Sequence, residues 1–151
     1  MPGCPLCESD GGALVWRGEA LRLIRVQQPG TGAYYRLVWN QHVREWTDLP
    51  PACRALGMDA VAAVERVLRE VLAPEKINLA SLGNQVPHLH WHIIARWSWD
   101  SHWPDPVWAE ARRTVDAHRL AGVRSLLPVV DEQASRALAQ QGPPTVPATR
   151  P

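Results

Sequence analysis

The run Val86-Pro87-His88-Leu89-His90-Trp91-His92-Ile93-Ile94 constrains the fold more than any other stretch of the chain. Extended backbone sends successive side chains to opposite faces. The alternation therefore predicts a strand with His88, His90 and His92 on one face and Leu89, Trp91 and Ile93 on the other. The apolar face requires a core. The imidazole face gathers three titratable rings that a solvated strand does not need, which makes it the first candidate for chemistry.

The segments before this run supply a sheet and a helix to support it. Residues 13–16 and 21–26, separated by Gly18-Glu19, read as a hairpin. Gln27-Gln28-Pro29-Gly30-Thr31-Gly32 is a loop rich in turn residues, and 34–39 reads as a third strand ending at Asn40. From Pro51 to Ala73 the apolar positions Leu56, Ala60, Val64, Val67, Leu68, Val71 and Leu72 recur at helical spacing, and Pro74 ends the pattern. Residues 76–82 form a fourth strand, and Gly83-Asn84 turns the chain into the histidine strand, expected to run to about Trp97. Strands do not alternate with helices, so the expected class is α+β, a roughly five-stranded antiparallel sheet with one long helix. Residues 109–151 read as a weakly structured C-terminal extension, with helical segments over 109–121 and 131–141 and a disordered Pro-rich tail over 142–151. The main domain is placed at 1–108.

Composition narrows the partners. A formal net charge of +1 offers no basic patch for nucleic acid, and no apolar run approaches the roughly 20 residues of a membrane span. The segment from Met1 lacks the charged and apolar regions of a signal peptide, so a cytoplasmic location is expected. Three cysteines, an odd number, argue against a disulfide framework. Cys4 and Cys7 form a Cys-x-x-Cys pair, and Cys53 falls in the helical stretch as a packing residue. Of eight tryptophans, Trp91, Trp97, Trp99, Trp103 and Trp108 lie on or just after the histidine strand, where they suit packing or stacking on a flat ligand.

Three readings of the imidazole face stay open on spacing alone. A neutral ring can attack phosphorus while its neighbours handle charge and protons. Imidazoles two apart on a strand can chelate zinc. The rings can also be satisfied histidines with no chemistry.

His88-Leu89-His90-Trp91-His92-Ile93-Ile94 resembles the signature of the histidine-triad (HIT) family, nucleotide hydrolases and transferases acting on the α-phosphate. The resemblance covers roughly residues 4–108 and includes the Cys-x-x-Cys start, His42 just beyond the third strand, and the Gly83-Asn84-Gln85-Val86 lead-in. The whole pattern is similar to the bacterial diadenosine-tetraphosphate hydrolase-like branch. It implies a HIT-like fold and a division of roles. His90 is the implied nucleophile, with its second ring nitrogen held by a main-chain carbonyl near His92. His92 stands at the α-phosphate and leaving group, and His88 supports the arrangement from upstream. Asn78, Asn84 and Gln85 are the implied phosphate binders. Where the family often carries a ribose-binding carboxylate, this chain has Val26-Gln27-Gln28, so Gln27 is the candidate there. Leu6, Leu23 and Ile24 are candidates for a base pocket.

The resemblance also implies a structural zinc held by Cys4, Cys7, His42 and His88, with no catalytic cofactor. His102 is expected on a loop near the site mouth and His118 on the surface. A small nucleotide substrate and a homodimer are the expected partners, with neither nucleic acid nor membrane. The alternatives are a zinc-stabilised nucleotide-binding protein with little turnover and a zinc-dependent hydrolase.

Overall fold

In the computed structural model, which describes residues 1–141, the alternating segments pair into one antiparallel sheet. Its strands are β1 (Ala13–Arg17), β2 (Leu21–Arg25), β3 (Ala33–Trp39), β4 (Lys76–Ala80) and β5 (His90–Arg96), in the order β1-β2-β3-β5-β4. Short turns join the first three strands. A long helix, α2 (Pro51–Leu72), carries the chain across to β4 at the far edge, and β5 returns between β4 and β3.

Register divides the sheet into two faces. Tyr35 lies opposite Ile93 and Leu37 opposite Trp91, so these side chains share one face with Leu23. Together with Leu89 they pack on the stripe Ala60, Val61, Val64, Leu68 and Leu72 of α2. That burial holds the sheet and helix together: truncating Ile93, which has no exposed surface, to alanine removes about 2–5 kcal/mol. The other face carries Ile24, Tyr34, Arg36, Val38, His90, His92, Ile94 and Arg96.

Helix α2 starts at the prolines Pro50 and Pro51, where a missing N–H costs nothing. It stops at Ala73, which adopts the left-handed conformation (φ 46°) and donates its N–H to the Arg69 carbonyl. Two elements are too short for periodicity to reveal, a single-turn helix α1 (Pro5–Glu8) and a 3-10 turn at Trp46–Asp48.

The strand edges differ from expectation in two places. β4 ends at Ala80, and β5 begins at His90 rather than upstream of His88. Pro87 has no N–H for a ladder, and the His88 N–H turns back onto the Val86 carbonyl at 2.8 Å, so pairing resumes only at Leu89.

The helix expected at 109–121 begins only at Ala117, as α3 (Ala117–Ser125), with residues 109–116 irregular, and the one expected at 131–141 is α4 (Leu127–Ala139). Asp116 caps the first by accepting the His118 and Arg119 N–H groups, and Pro128 opens the second. Leu127, Val130, Ala134 and Leu138 of α4 join the same core as α2 and the sheet. Asp131 accepts hydrogen bonds from Arg25 at 3.1 Å and from the Tyr35 hydroxyl at 2.7 Å. The expected disordered tail at 142–151 lies outside the described residues. Among the described residues no helix is long and apolar enough to cross a membrane.

Candidate active site and metal centre

Two segments cover the polar face of the sheet and leave His90 and His92 between them. At one end, the N-terminal hook lays Cys4 and Leu6 on Ile24 and Val38. Arg22, buried beneath it, donates Nη2 to the Leu6 carbonyl at 2.6 Å and Nε to the Asp10 carbonyl at 3.3 Å. At the other end, the loop 98–108 is tied down by the buried pair Arg96–Asp100 at 2.7 Å. Burial opposes charge on the Asp100 carboxyl. The Arg96 guanidinium and the His102 and Trp97 N–H groups outweigh it and hold the group below the usual carboxylate range. Gly30, with φ +72°, lets the β2–β3 loop approach Ser101 where a Cβ would collide with its side chain.

Hydrogen bonds to acceptors that cannot donate settle the tautomers of two rings. His90 Nδ1 lies 2.6 Å from the His88 carbonyl, so Nδ1 carries the proton and Nε2 keeps a lone pair. The sequence places this carbonyl near His92, but the structure supplies it from His88, two residues upstream of His90, where the bend at Pro87 leaves the carbonyl outside the strand ladder. His88 Nε2 lies 2.6 Å from the Trp39 carbonyl, so there Nε2 is protonated and Nδ1 is free. His90 and His92 form an edge-to-face pair with centroids 4.7 Å apart, and Trp108 stands 5.0 Å from His92 on the other side. The Tyr34 hydroxyl lies 2.6 Å from His92 Nδ1.

The rings are held neutral. Burial pushes His90 below its ordinary value, against the bond to the His88 carbonyl, and Arg36 adds to the effect. His92 is pushed down to about 3 by burial, then by His90 and Arg36. His88 is lowered by burial as well, against its bond to the Trp39 carbonyl. Neutral imidazoles are the form that can attack phosphorus or bind a metal.

His88 faces away from its two neighbours, toward the hook. Its Nδ1 lies 3.4 Å from Cys4 Sγ and 3.5 Å from Cys7 Sγ, and His42 Nδ1 lies 3.4 Å from Cys7 Sγ. The four donor atoms all fall within 4.8 Å of one another and form a group that can hold a metal ion. Tetrahedral zinc with Zn–S near 2.3 Å and Zn–N near 2.05 Å sets sulfur-to-nitrogen edges of about 3.5 Å, so these three sulfur-to-nitrogen distances suit the ion, as does the chemistry of two thiols and two imidazoles.

The expected phosphate and ribose binders are placed less decisively. Asn78 sits opposite Ile94, on the histidine face, with its Oδ1 accepting from Arg96 at 2.6 Å. Asn84 and Gln85 are exposed in the bend before Pro87, and Gln27 is exposed just past β2. Among the described residues no hydrogen bond joins these four amides to the histidine rings. Of the base-pocket candidates, Leu6 and Ile24 lie on the histidine face, whereas strand alternation puts Leu23 in the core on the other side. His102 lies on the loop as expected and is buried there, with its Nδ1 at 2.9 Å from Ser101 Oγ. His118 is exposed, and Cys53 packs against the core.

Pattern reading misses Tyr34 and Arg36, which reach the histidine face only through the register of β3 on β5. Trp108, one of the tryptophans expected to pack or to stack on a flat ligand, edges His92.

The HIT domain profile matches residues 12–98. No curated protein matches the chain. Solved structures do match. A histidine triad protein from Bradyrhizobium japonicum is 26% identical, with 83% of this chain and 89% of that one covered and a TM-score of 0.66. One from Marinobacter aquaeolei is 27% identical, covering 80% and 89%, with a TM-score of 0.63. A Zn-bound histidine triad family protein from Mycobacterium smegmatis is 20% identical, covering 91% and 94%, with a TM-score of 0.57.

Proposed function

This chain belongs to the HIT domain family, and from that premise we propose that it cleaves nucleotides at the α-phosphate through a covalent intermediate on His90. Membership supports a nucleotide-binding or hydrolase-type function in general. The finer reading takes an adenosine dinucleotide or a nucleoside phosphoramidate as substrate. The His90 Nε2 lone pair forms a bond to phosphorus, and the bond from phosphorus to the leaving group breaks with its electron pair. Water, or another acceptor, then displaces His90 from the nucleotidyl group.

One observation carries this reading. The His88 carbonyl fixes the proton on His90 Nδ1, so the nitrogen on the far side of the ring holds a free lone pair without any metal or added base. His92 beside it handles charge at the leaving group. Asn78, Asn84, Gln85 and Gln27 are the amides offered to phosphate and ribose oxygens. Acid-free rapid quenching of turnover on α-labelled diadenosine tetraphosphate tests the reading. The expected result is label on His90. Cleavage without any captured adduct overturns covalent catalysis, and binding without cleavage leaves only a nucleotide-binding protein.

We assign Cys4, Cys7, His42 and His88 to a structural zinc. The name of the Mycobacterium smegmatis relative records zinc in that protein, and the spacing of the four donors here supports the same ion. Four protein ligands leave no open position for substrate, which favours a supporting metal over a hydrolytic one. Zinc, when bound, supplies the crosslink from the hook to the segments that follow β3 and precede β5. A reducing, cytoplasmic setting accords with the free thiols. We also assign a homodimer, supported by the open edge of β4 with Leu79 and Leu82 exposed. Sedimentation measures its mass directly.

A further inference from the structure

The Tyr34 hydroxyl has two polar neighbours among the described residues: His92 Nδ1 at 2.6 Å and Arg36 Nη2 at 3.5 Å. Tyr34 is only 2% exposed, so its O–H must find an acceptor inside the protein. A guanidinium has no acceptor atom. It can only direct an N–H at the tyrosine oxygen, which leaves His92 Nδ1 as the sole acceptor for the tyrosine proton. A neutral His92 with an accepting Nδ1 must carry its one N–H on Nε2.

The cation is itself placed to enforce this order. The Arg36 guanidinium carbon stands 5.4 Å from the centre of the Tyr34 ring. Its Nε is buried without a hydrogen-bond partner, and among the described ion pairs it has no carboxylate. An unneutralised positive charge at that position favours the tyrosine oxygen turning its lone pair toward Arg36 and its proton away. It also opposes a second proton on His92.

We propose that Arg36 and Tyr34 are positioning residues that hold His92 as its Nε2–H tautomer, so that His92 meets the substrate as a hydrogen-bond donor while His90 meets it with a lone pair. The kinetic consequence rests on the hydrolase reading above; the tautomer itself does not. Two rings 4.7 Å apart then present opposite functions on their Nε2 atoms. One can attack phosphorus, and the other can stabilise the charge that gathers on the departing atom. The reverse tautomer of His92 would face that charge with a second lone pair.

The test is a long-range proton–nitrogen spectrum of the full chain carrying 15N-labelled histidine, with the His92 signals assigned by loss in His92→Asn. The expected wild-type spectrum has Nε2 protonated and Nδ1 bare and hydrogen-bonded. In Tyr34→Phe, which keeps the ring and its packing, the Nδ1 signal moves toward the averaged tautomers of free imidazole. Arg36→Met gives a smaller shift in the same direction. On α-labelled diadenosine tetraphosphate, Tyr34→Phe lowers kcat about tenfold or more with KM held within about twofold, the range expected for loss of one charge-stabilising donor. A wild-type His92 protonated on Nδ1, or a Tyr34→Phe spectrum identical to wild type, overturns the inference even where turnover is intact. The expected spectra in a protein with no turnover would support the tautomer and count against the hydrolase reading instead.

Discussion

His88 and His90 are two residues apart, both buried and both on the same side of the sheet, yet opposite atoms of their rings are left free. At His88 the Trp39 carbonyl takes Nε2 and leaves Nδ1 for the two thiols and His42. At His90 the His88 carbonyl takes Nδ1 and leaves Nε2 open beside His92. The surroundings follow the same split, with two cysteines at one end and the Arg36 cation at the other. Under the proposed function, a repeated residue type thus yields a metal ligand and a nucleophile. The position of one peptide carbonyl decides which it is, because it alone fixes where the ring proton sits.

The sharpest way to break this comparison is to remove each ring in turn. His90→Asn is expected to lose about 10³-fold or more in kcat, while thermal melting changes little. Single-turnover labelling and a melting curve on the same sample check both halves. If His90→Asn unfolds the protein and keeps its activity per folded molecule, the division of labour is wrong.

The next effect in size belongs to the metal end. If the proposed zinc is bound, stripping it with a chelator, or Cys4→Ser, is expected to cost about 3 kcal/mol, or roughly 10 °C in Tm, since the hook would lose its crosslink to the sheet. Below the new melting transition, kcat is expected to change by less than about threefold, because the attacking ring needs no metal. Metal content by mass spectrometry, melting and activity on matched samples measure this. A reversible loss of all turnover on chelation would move the metal into the chemical step.

Acid separates the ends more gently. His92 is pushed down to about 3 in the folded chain by burial, His90 and Arg36, with Tyr34 occupying its Nδ1. Unfolded, it titrates near 6.5. Between those values the unfolded state binds the extra proton, so this contribution is complete above pH 6.5 and shrinks as pH falls. The slope is about 1.4 kcal/mol per pH unit. Urea unfolding at pH 6.5 and pH 5 is expected to differ by about 2 kcal/mol from His92 alone, the part that His92→Asn removes.

How much of this was readable beforehand depends on where periodicity reaches. The alternation of His88 to Ile94 gives both the sheet and the burial of Leu89, Trp91 and Ile93, and the recurrence from Leu56 to Leu72 gives α2. Only the family resemblance joins Cys4, Cys7, His42 and His88 in the sequence, and the fold brings their donor atoms within 4.8 Å of one another. Apolar character makes Leu23 a pocket candidate, but it does not say which face, and this strand is buried on both sides. The stripe Leu127, Val130, Ala134 and Leu138 of α4 lies in a segment whose flanks carry no period. Alternation continues through Pro87 and takes His88 with it, whereas the ladder cannot. Tyr34 and Arg36 needed register, a property of two strands together, which a single pattern does not contain.

Two tryptophans give the most local test, and Trp108 gives its smallest effect. Trp91 is buried against Trp46 at 5.1 Å, and its truncation to alanine belongs with the large core losses of about 3–5 kcal/mol. Trp108 keeps 48% of its surface exposed while its ring edges His92 at 5.0 Å. Half of its area is already in water, so Trp108→Ala is expected to cost less than about 1 kcal/mol in stability. Its place beside His92 makes it a wall of the reacting end, and its removal is expected to raise KM about three- to fivefold with kcat nearly kept. Were the loss to appear in stability instead, the loop 98–108 would be a structural cover like the hook at the metal end, and the two ends would differ in chemistry but not in openness.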